Sequence, residues 1–319
     1  MVVLVGIDEA GFGPLLGPLV VSSSTFSLPH NLLTTDLWQI LRNSVGNRRK
    51  RLAGRMLITD SKKAYSRAMG IGHLERTVLG CLKCLGKEPR TLVELIELLC
   101  PDLFERLSAY PWYREAGNHF LSADAADKDI ASTVLADDMT SNGIELLDMK
   151  SYCLDVGYYN KMVASVKNKA NVLFSATSRL IKSAFDNFEG DDLQIVVDRQ
   201  GGRIHYRRHL ERMFGNTEMK ILRESPADSS YEMRAGGKSM RLHFVVGADE
   251  RFLPVSLASM VSKYLRELLV HNMNRYFIGF HSDLRPTAGY WKDGLRFIED
   301  VKTNIPGLNV DMDQLVRCR

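Results

Sequence analysis

The chain opens on a continuous apolar run, Val2-Val3-Leu4-Val5-Gly6-Ile7, that stops at two adjacent carboxylates, Asp8 and Glu9. A run of this kind is what a strand buried on both faces requires. A turn with three glycines and two prolines follows between Gly11 and Pro18, and Leu19 to Phe26 reads as a second strand paired with the first. Burying the opening run carries Asp8 and Glu9 toward the interior. An ionised carboxylate is costly there unless a cation or a donor meets it. The pair therefore reads as a site rather than as a solvated strand end. The pattern returns at Leu193-Gln194-Ile195-Val196-Val197, a short β-branched run that also ends in a carboxylate, Asp198.

Further strand material lies at Ile144 to Asp148, Tyr152 to Val156 and Leu242 to Val246, with a turn at Gly190-Asp191-Asp192. Apolar residues at helical spacing predict helices over Leu74 to Leu85, Thr91 to Leu99, Asn160 to Phe188 and Leu253 to Phe277. In the last of these, Leu257, Met260, Tyr264 and Leu268 share a face, and Glu267 sits at the edge of that stripe, half toward the core. Its plain structural alternative is an ion pair with Lys263 one turn earlier. Alternating strands and long helices make this an α/β chain. Residues 64–148 form a mostly helical insertion that splits one discontinuous domain, 1–63 and 149–319.

Composition adds little to this. The 319 residues are 45% hydrophobic and 25% charged with a net charge of +4, as in an ordinary globular protein. Five cysteines at irregular spacing, Cys81-Leu82-Lys83-Cys84 among them, give no second pair for a zinc site. They read as reduced, buried thiols. The opening run is too short and lacks the basic flank of a signal peptide, and no stretch approaches the length of a membrane span. A soluble cytoplasmic protein is expected. Arg48, Arg49, Lys50, Arg51 and Arg55 make a basic run; it reads as a solvated loop, with tracking of a phosphate backbone as the alternative. Asp124, Asp127, Asp129, Asp137 and Asp138 fit no metal-loop pattern and read as a solvated face. His205, His209, His243 and His281 read as ordinary histidines, and Gly11-x-Gly13 lacks the endings of a nucleotide-binding loop.

Asp8, Glu9, Asp198 and Glu267 are then the acids held by buried elements. If they converge they need cations, and hard divalent ions with oxygen ligands are suited to that task. Gly6-Ile7-Asp8-Glu9-Ala10-Gly11-Phe12-Gly13-Pro14-Leu15-Leu16-Gly17-Pro18 closely resembles the N-terminal motif of ribonuclease HII, a type 2 ribonuclease H. Asp60-Ser61-Lys62-Lys63, Ile195-Val196-Val197-Asp198, the stretch from Ser259 to Glu267 and Gly289-Tyr290 resemble later motifs of that family in the same order. The resemblance spans about residues 1–63 and 150–300.

It implies an RNase H-like fold, a mixed five-stranded sheet flanked by helices. The implied activity is metal-dependent endonucleolytic cleavage of the RNA strand of RNA–DNA hybrids, or at ribonucleotides embedded in duplex DNA, by a two-metal mechanism with Mg²⁺ or Mn²⁺. By position, Asp8, Glu9, Asp198 and Glu267 would hold the metals. Gly11, Phe12 and Gly13 would face the substrate, Lys62 and Lys63 would contact phosphates, and Tyr290 would stack on a sugar beside the cut. The chain departs from the family pattern at Phe12, where Arg is usual, at Glu267, where Asp stands, and in Arg199-Gln200-Gly201-Gly202-Arg203. Two other readings compete. One is a nuclease on the same fold acting on structured DNA. The other is a non-catalytic nucleic-acid-binding protein, against which the retained acids argue.

Overall fold

In a computed structural model of the chain, residues 1–66, 68–121, 125–188, 192–215 and 217–318 are described. The turn at Gly190-Asp191 and the acid Asp124 lie outside them. The strands are β1 (Val2–Ala10), β2 (Leu19–Leu28), β3 (Val45–Gly46), β4 (Met56–Leu57), β5 (Glu145–Leu154), β6 (Leu193–Asp198), β7 (Glu218–Glu224), β8 (Asp228–Ala235) and β9 (Lys238–Val245). Seven of them form one mixed sheet in the order β5-β2-β1-β6-β9-β8-β7, and β3 and β4 pair separately. β2 is antiparallel to β1 and to β5, whereas β6 and β9 run parallel to β1.

The five strands β5, β2, β1, β6 and β9 make the mixed five-stranded sheet expected from the sequence. The hairpin β7–β8 extends it to seven. The β8–β9 connection turns at Gly236-Gly237, both at positive φ (56° and 78°), the backbone that a tight hairpin turn demands. β7, Glu-Met-Lys-Ile-Leu-Arg-Glu, is mostly exposed, so no apolar face marks it in the sequence.

Helices cover both faces of the sheet. Side chains alternate along a strand, so on β1 Leu4 belongs to one apolar cluster and Val5 and Ile7 to the other. The first cluster packs the sheet against the helix Leu253–Phe280, which buries almost its whole circumference. The second packs it against Val156–Val166 and Lys169–Asn187. The sequence predicts these two as one helix. Lys167 breaks it in a left-handed conformation (φ 53°), and the Asn168 side chain caps the next helix by accepting from Asn171 N at 3.1 Å. Between residues 64 and 148 lie the helices Gly72–Cys84, Leu92–Leu99, Pro101–Leu107 and Ala125–Ser141. Leu74, Val78, Leu95 and Leu135 share the first cluster with Leu257, Leu268 and Phe277, so these helices build on the same core as the sheet. All five cysteines are free, and burial pushes the Cys81 and Cys153 thiols up and Cys100 to about 12. Among the described residues no helix is long and apolar enough to cross a membrane.

One close approach fixes where the long helix starts. Gly6 lies against the backbone of Pro254 and Val255, and a Cβ there would collide with both. Ser24 on the neighbouring strand donates to Pro254 O at 2.7 Å. Gly6→Ala is therefore expected to lower unfolding free energy by about 3 kcal/mol. A lower urea midpoint at unchanged slope would register it, and an unchanged midpoint would show that the helix is free to move away.

Candidate active site

The site forms where β1, β6 and β9 end together. Ile7 pairs with Val197, and Asp198 pairs with Val245, so the C-terminal ends of three parallel strands sit level. Leu4 and Val196 face the long helix, and alternation puts Asp8 and Asp198 on that same face, side by side. β9 then turns through Gly247, in the left-handed region at φ 63°, into a short 3-10 helix over Ala248–Glu250. Ala248 N donates to Asp198 Oδ1 at 2.7 Å, which draws this turn, and Asp249 with it, up to the two strand ends. Crevices at the carboxyl ends of parallel strands are habitual ligand sites.

Burial and like charge dominate here. Desolvation first, then the carboxylates of Glu9 and Asp198, hold the Asp8 carboxyl well above the usual range. Burial and Asp198 push Glu9 up to about 8, and burial with Asp198 and Asp60 pushes Asp249 up to about 6. Asp198 is also raised, by burial, against the opposing donors Ala248 N and Lys62. Ser262 Oγ pins the strand end by donating to Asp8 O at 3.0 Å. Glu9 Oε2 is buried without a hydrogen-bond partner. Among the described residues no group of three or more His, Cys, Asp or Glu side chains is placed so that it could hold a metal ion as it stands. The donor set nevertheless fits hard divalent cations: oxygen only, electron-rich, repelling one another, with one oxygen unpartnered.

The predicted residues divide. Asp8, Glu9 and Asp198 come together, and Lys62 stands beside them. Burial tends to lower its pKa, but Asp60, Asp249, Asp8 and Asp198 outweigh that and raise it. Asp60 caps the short helix Ser61–Ala64 by accepting from Lys62 N at 2.9 Å, and this cap sets where the lysine stands. Lys63 is turned outward in an exposed ion pair with Glu250 at 2.6 Å. Of the four histidines, His205 pairs with Glu224, His209 contacts Asn171 and His243 lies between Ser230 and Gln194. His281 caps the end of the long helix.

Glu267 does not join the acids. The Asp8 carboxylate meets Ser259 on the long helix. Glu267 is eight residues further on, roughly 12 Å along the axis at about 1.5 Å per residue. It pairs with Lys263 at 2.5 Å and with Arg266 at 3.0 Å. Burial raises its pKa, but the two cations outweigh this and hold it below the ordinary glutamate value. Arg266 is 1% exposed. Its Nη2 donates to Ala288 O at 2.9 Å, and its guanidinium lies 5.8 Å from the Tyr290 ring centroid. A buried arginine needs a counter-charge, and Glu267 supplies it. The ion pair with Lys263, the structural alternative for this residue, is the one that forms.

Asp249 is the acid that sequence reasoning missed. The signal was available: the apolar run Leu242 to Val246 is followed within three residues by Asp249 and Glu250, as the apolar runs of β1 and β6 are followed at once by Asp8-Glu9 and by Asp198.

The glycine turn separates into two kinds of position. Gly11, at φ 94°, is closed in: a Cβ would lie 2.6 Å from Pro18 O and 2.7 Å from Arg266 Nε. Gly13 is exposed, and a Cβ would meet nothing within 4 Å. Gly11 is thus required by packing, while Gly13 has open space around it. Phe12 is half-buried against the second apolar cluster. Leu15 N and Leu16 N both donate to Gly289 O, at 2.7 and 3.1 Å, stitching this turn to the loop that carries the exposed Tyr290.

No protein-family model and no curated protein matches the chain. Three solved structures to which it is similar are type 2 ribonucleases H, the family its motifs resemble. The PCNA:RNase HII complex from Archaeoglobus fulgidus shows 17% identity over 99% of this chain and 94% of that one, at a TM-score of 0.46. Bst-RNase HIII in complex with Mn²⁺ shows 14% identity over 99% and 66%, at 0.44. Ribonuclease H2 from Pyrococcus horikoshii OT3 shows 12% over 98% and 92%, at 0.43. At these identities and scores the likeness says nothing of the site's chemistry, which rests on the residues themselves.

The acids make a prediction about pH. Glu9 stands at about 8 in the folded chain against an ordinary 4.5, so the folded state binds more protons than the unfolded one between those values. Stability then falls as pH rises through that window. In EDTA the melting temperature should drop from about pH 5 to about pH 8, and Mg²⁺ or Mn²⁺ should remove most of the drop. A melting temperature that is flat or rises in EDTA would contradict this.

Proposed function

We propose that the chain is a metal-dependent endonuclease that cuts at ribonucleotides, either in the RNA strand of RNA–DNA hybrids or singly embedded in duplex DNA. The observation that carries this reading is the set of carboxylates brought together and raised by burial and by one another's charge at the level ends of β1, β6 and β9. Asp8, Glu9, Asp198 and Asp249 would hold the metal ions, Mg²⁺ or Mn²⁺. Bound there, divalent cations would lower the pKa of the attacking water and neutralise charge on the leaving oxygen.

The protein's own groups orient and exclude. Lys62, held above its ordinary pKa by the acids around it, keeps its proton and offers a cation to a phosphate arriving at the crevice. The open Gly13 admits a sugar against the backbone, where a 2′-hydroxyl can be met. The exposed Tyr290 ring, tied to the same turn through Gly289, offers a flat apolar face to the neighbouring sugar. Phe12 brings no charge to this turn, so recognition of the ribose falls to backbone groups there.

The reading is tested with labelled RNA–DNA hybrid, duplex DNA carrying one ribonucleotide, and plain and branched DNA, each with Mg²⁺ or Mn²⁺. Cleavage is expected only where ribonucleotides occur. Asp8→Asn and Asp249→Asn should each lower the rate at least a hundredfold. Glu267→Gln should lower thermal stability by removing the counter-charge of Arg266 while leaving its folded fraction active. Intact ribonucleotide substrates after incubation with well-folded protein would overturn the proposal, and cleavage confined to branched DNA would favour the structured-DNA reading.

A further inference from the structure

The basic run of the sequence is a built surface. Residues 47–55 connect the parallel strands β3 and β4. Two arginines shape the loop from within. Arg55 donates to Leu52 O at 2.8 Å, Arg51 O at 2.5 Å and Arg42 O at 3.1 Å. Arg76 donates to Arg55 O at 2.9 Å and Gly54 O at 2.7 Å, and is itself neutralised by Asp127. The loop they hold is conformationally costly, since Arg51 (φ 70°) and Ala53 (φ 50°) both occupy the left-handed region without being glycine. A merely solvated connection has no need of such a frame.

The frame leaves five cations on the outside. Arg42, Arg48, Arg49, Lys50 and Arg51 are all exposed, and none forms an ion pair among the described residues. Their field reaches neighbours: burial first, then Arg49 and Arg76, hold His73 below its ordinary pKa. Unpaired, clustered guanidinium groups are suited to a row of phosphates, which they meet in fork geometry. The loop is tethered to the crevice through β4, since only four residues lie between Arg55 and Asp60. Arg51, the nearest outward cation, is nine positions from Asp60, at most about 32 Å at about 3.3–3.6 Å per residue, or about nine base-pair steps of a duplex at about 3.4 Å each.

We propose that the 47–55 loop, with Arg42, is a second nucleic-acid contact that grips the phosphate backbone of the duplex several base pairs from the cut, within about nine. The proposal rests on the nuclease reading above and adds a footprint to it: affinity should depend on duplex length as well as on the ribonucleotide.

The test measures binding alone, in EDTA, by fluorescence anisotropy on RNA–DNA hybrids of about 24 and about 8 base pairs, the short one centred on the cut. The variant carries Arg48→Gln, Arg49→Gln, Lys50→Gln and Arg51→Gln. Wild type is expected to bind the long duplex at least tenfold more tightly, and the variant to lose most of that margin while holding the short duplex within about twofold. The slope of log affinity against log salt on the long duplex should fall by about 3–4, at about 0.9 for each phosphate that the variant no longer neutralises. Cleavage of the short hybrid in Mg²⁺ should be unchanged. Unchanged long-duplex affinity and slope in the variant would overturn the proposal, as would equal weakening on both lengths, which would put the loop at the cut itself. Wild type that neither binds nor cleaves any ribonucleotide substrate would instead overturn the nuclease reading, and this footprint with it.

Discussion

Everything in this structure answers to the cost of bringing four carboxylates into one buried crevice. Asp8, Glu9 and Asp198 end strands whose apolar sides are locked into the core, and Asp249 is pulled in by the bond from Ala248 N to Asp198. Asp8, Glu9 and Asp198 cannot retreat to solvent without disturbing the sheet. The molecule meets the repulsion only in part, with Lys62, Ser259 and backbone donors. Burial, together with the repulsion left over, holds the carboxyls above their ordinary range, and one oxygen of Glu9 has no hydrogen-bond partner. On the proposed reading, cations from outside would supply the missing positive charge.

The long helix carries a second buried ionic group, and the two must be told apart. Arg266 and Lys263 flank Glu267, and the three balance one another within the packing. Through Ala288 O and the Tyr290 ring, Arg266 ties the helix to the loop that also receives Leu15 N and Leu16 N. One acidic set is unbalanced and open to a ligand. The other is balanced and holds the Leu15–Leu16 turn and the Tyr290 loop in place.

The frame is legible in the sequence where hydrophobic pattern and strand ends coincide. β1, β2, β6 and the Leu253–Phe280 helix follow from runs whose burial leaves little choice, and Asp8, Glu9 and Asp198 follow from how those runs end. Other features are less legible. The β7 strand shows no apolar face because it lies at the sheet edge with most of its residues exposed. The break at Lys167 depends on a left-handed residue and an Asn cap inside an otherwise continuous helical pattern. Glu267 reads as a fourth site acid because a helical wheel gives its angular position but not its height along the axis. Asp249 escapes a reading of strand ends because Gly247 and Ala248 stand between it and the strand, and only the bond to Asp198 shows that the turn folds back to them.

The central claim is that the crevice acids, and not Glu267, form a site for divalent cations. Titration of wild type, Asp249→Asn and Glu267→Gln with Mn²⁺, followed by electron paramagnetic resonance of the free ion, tests it most directly. Wild type and folded Glu267→Gln are expected to take up Mn²⁺ alike, and Asp249→Asn to lose at least tenfold in affinity. Full Mn²⁺ uptake by Asp249→Asn together with loss in a well-folded Glu267→Gln would contradict it.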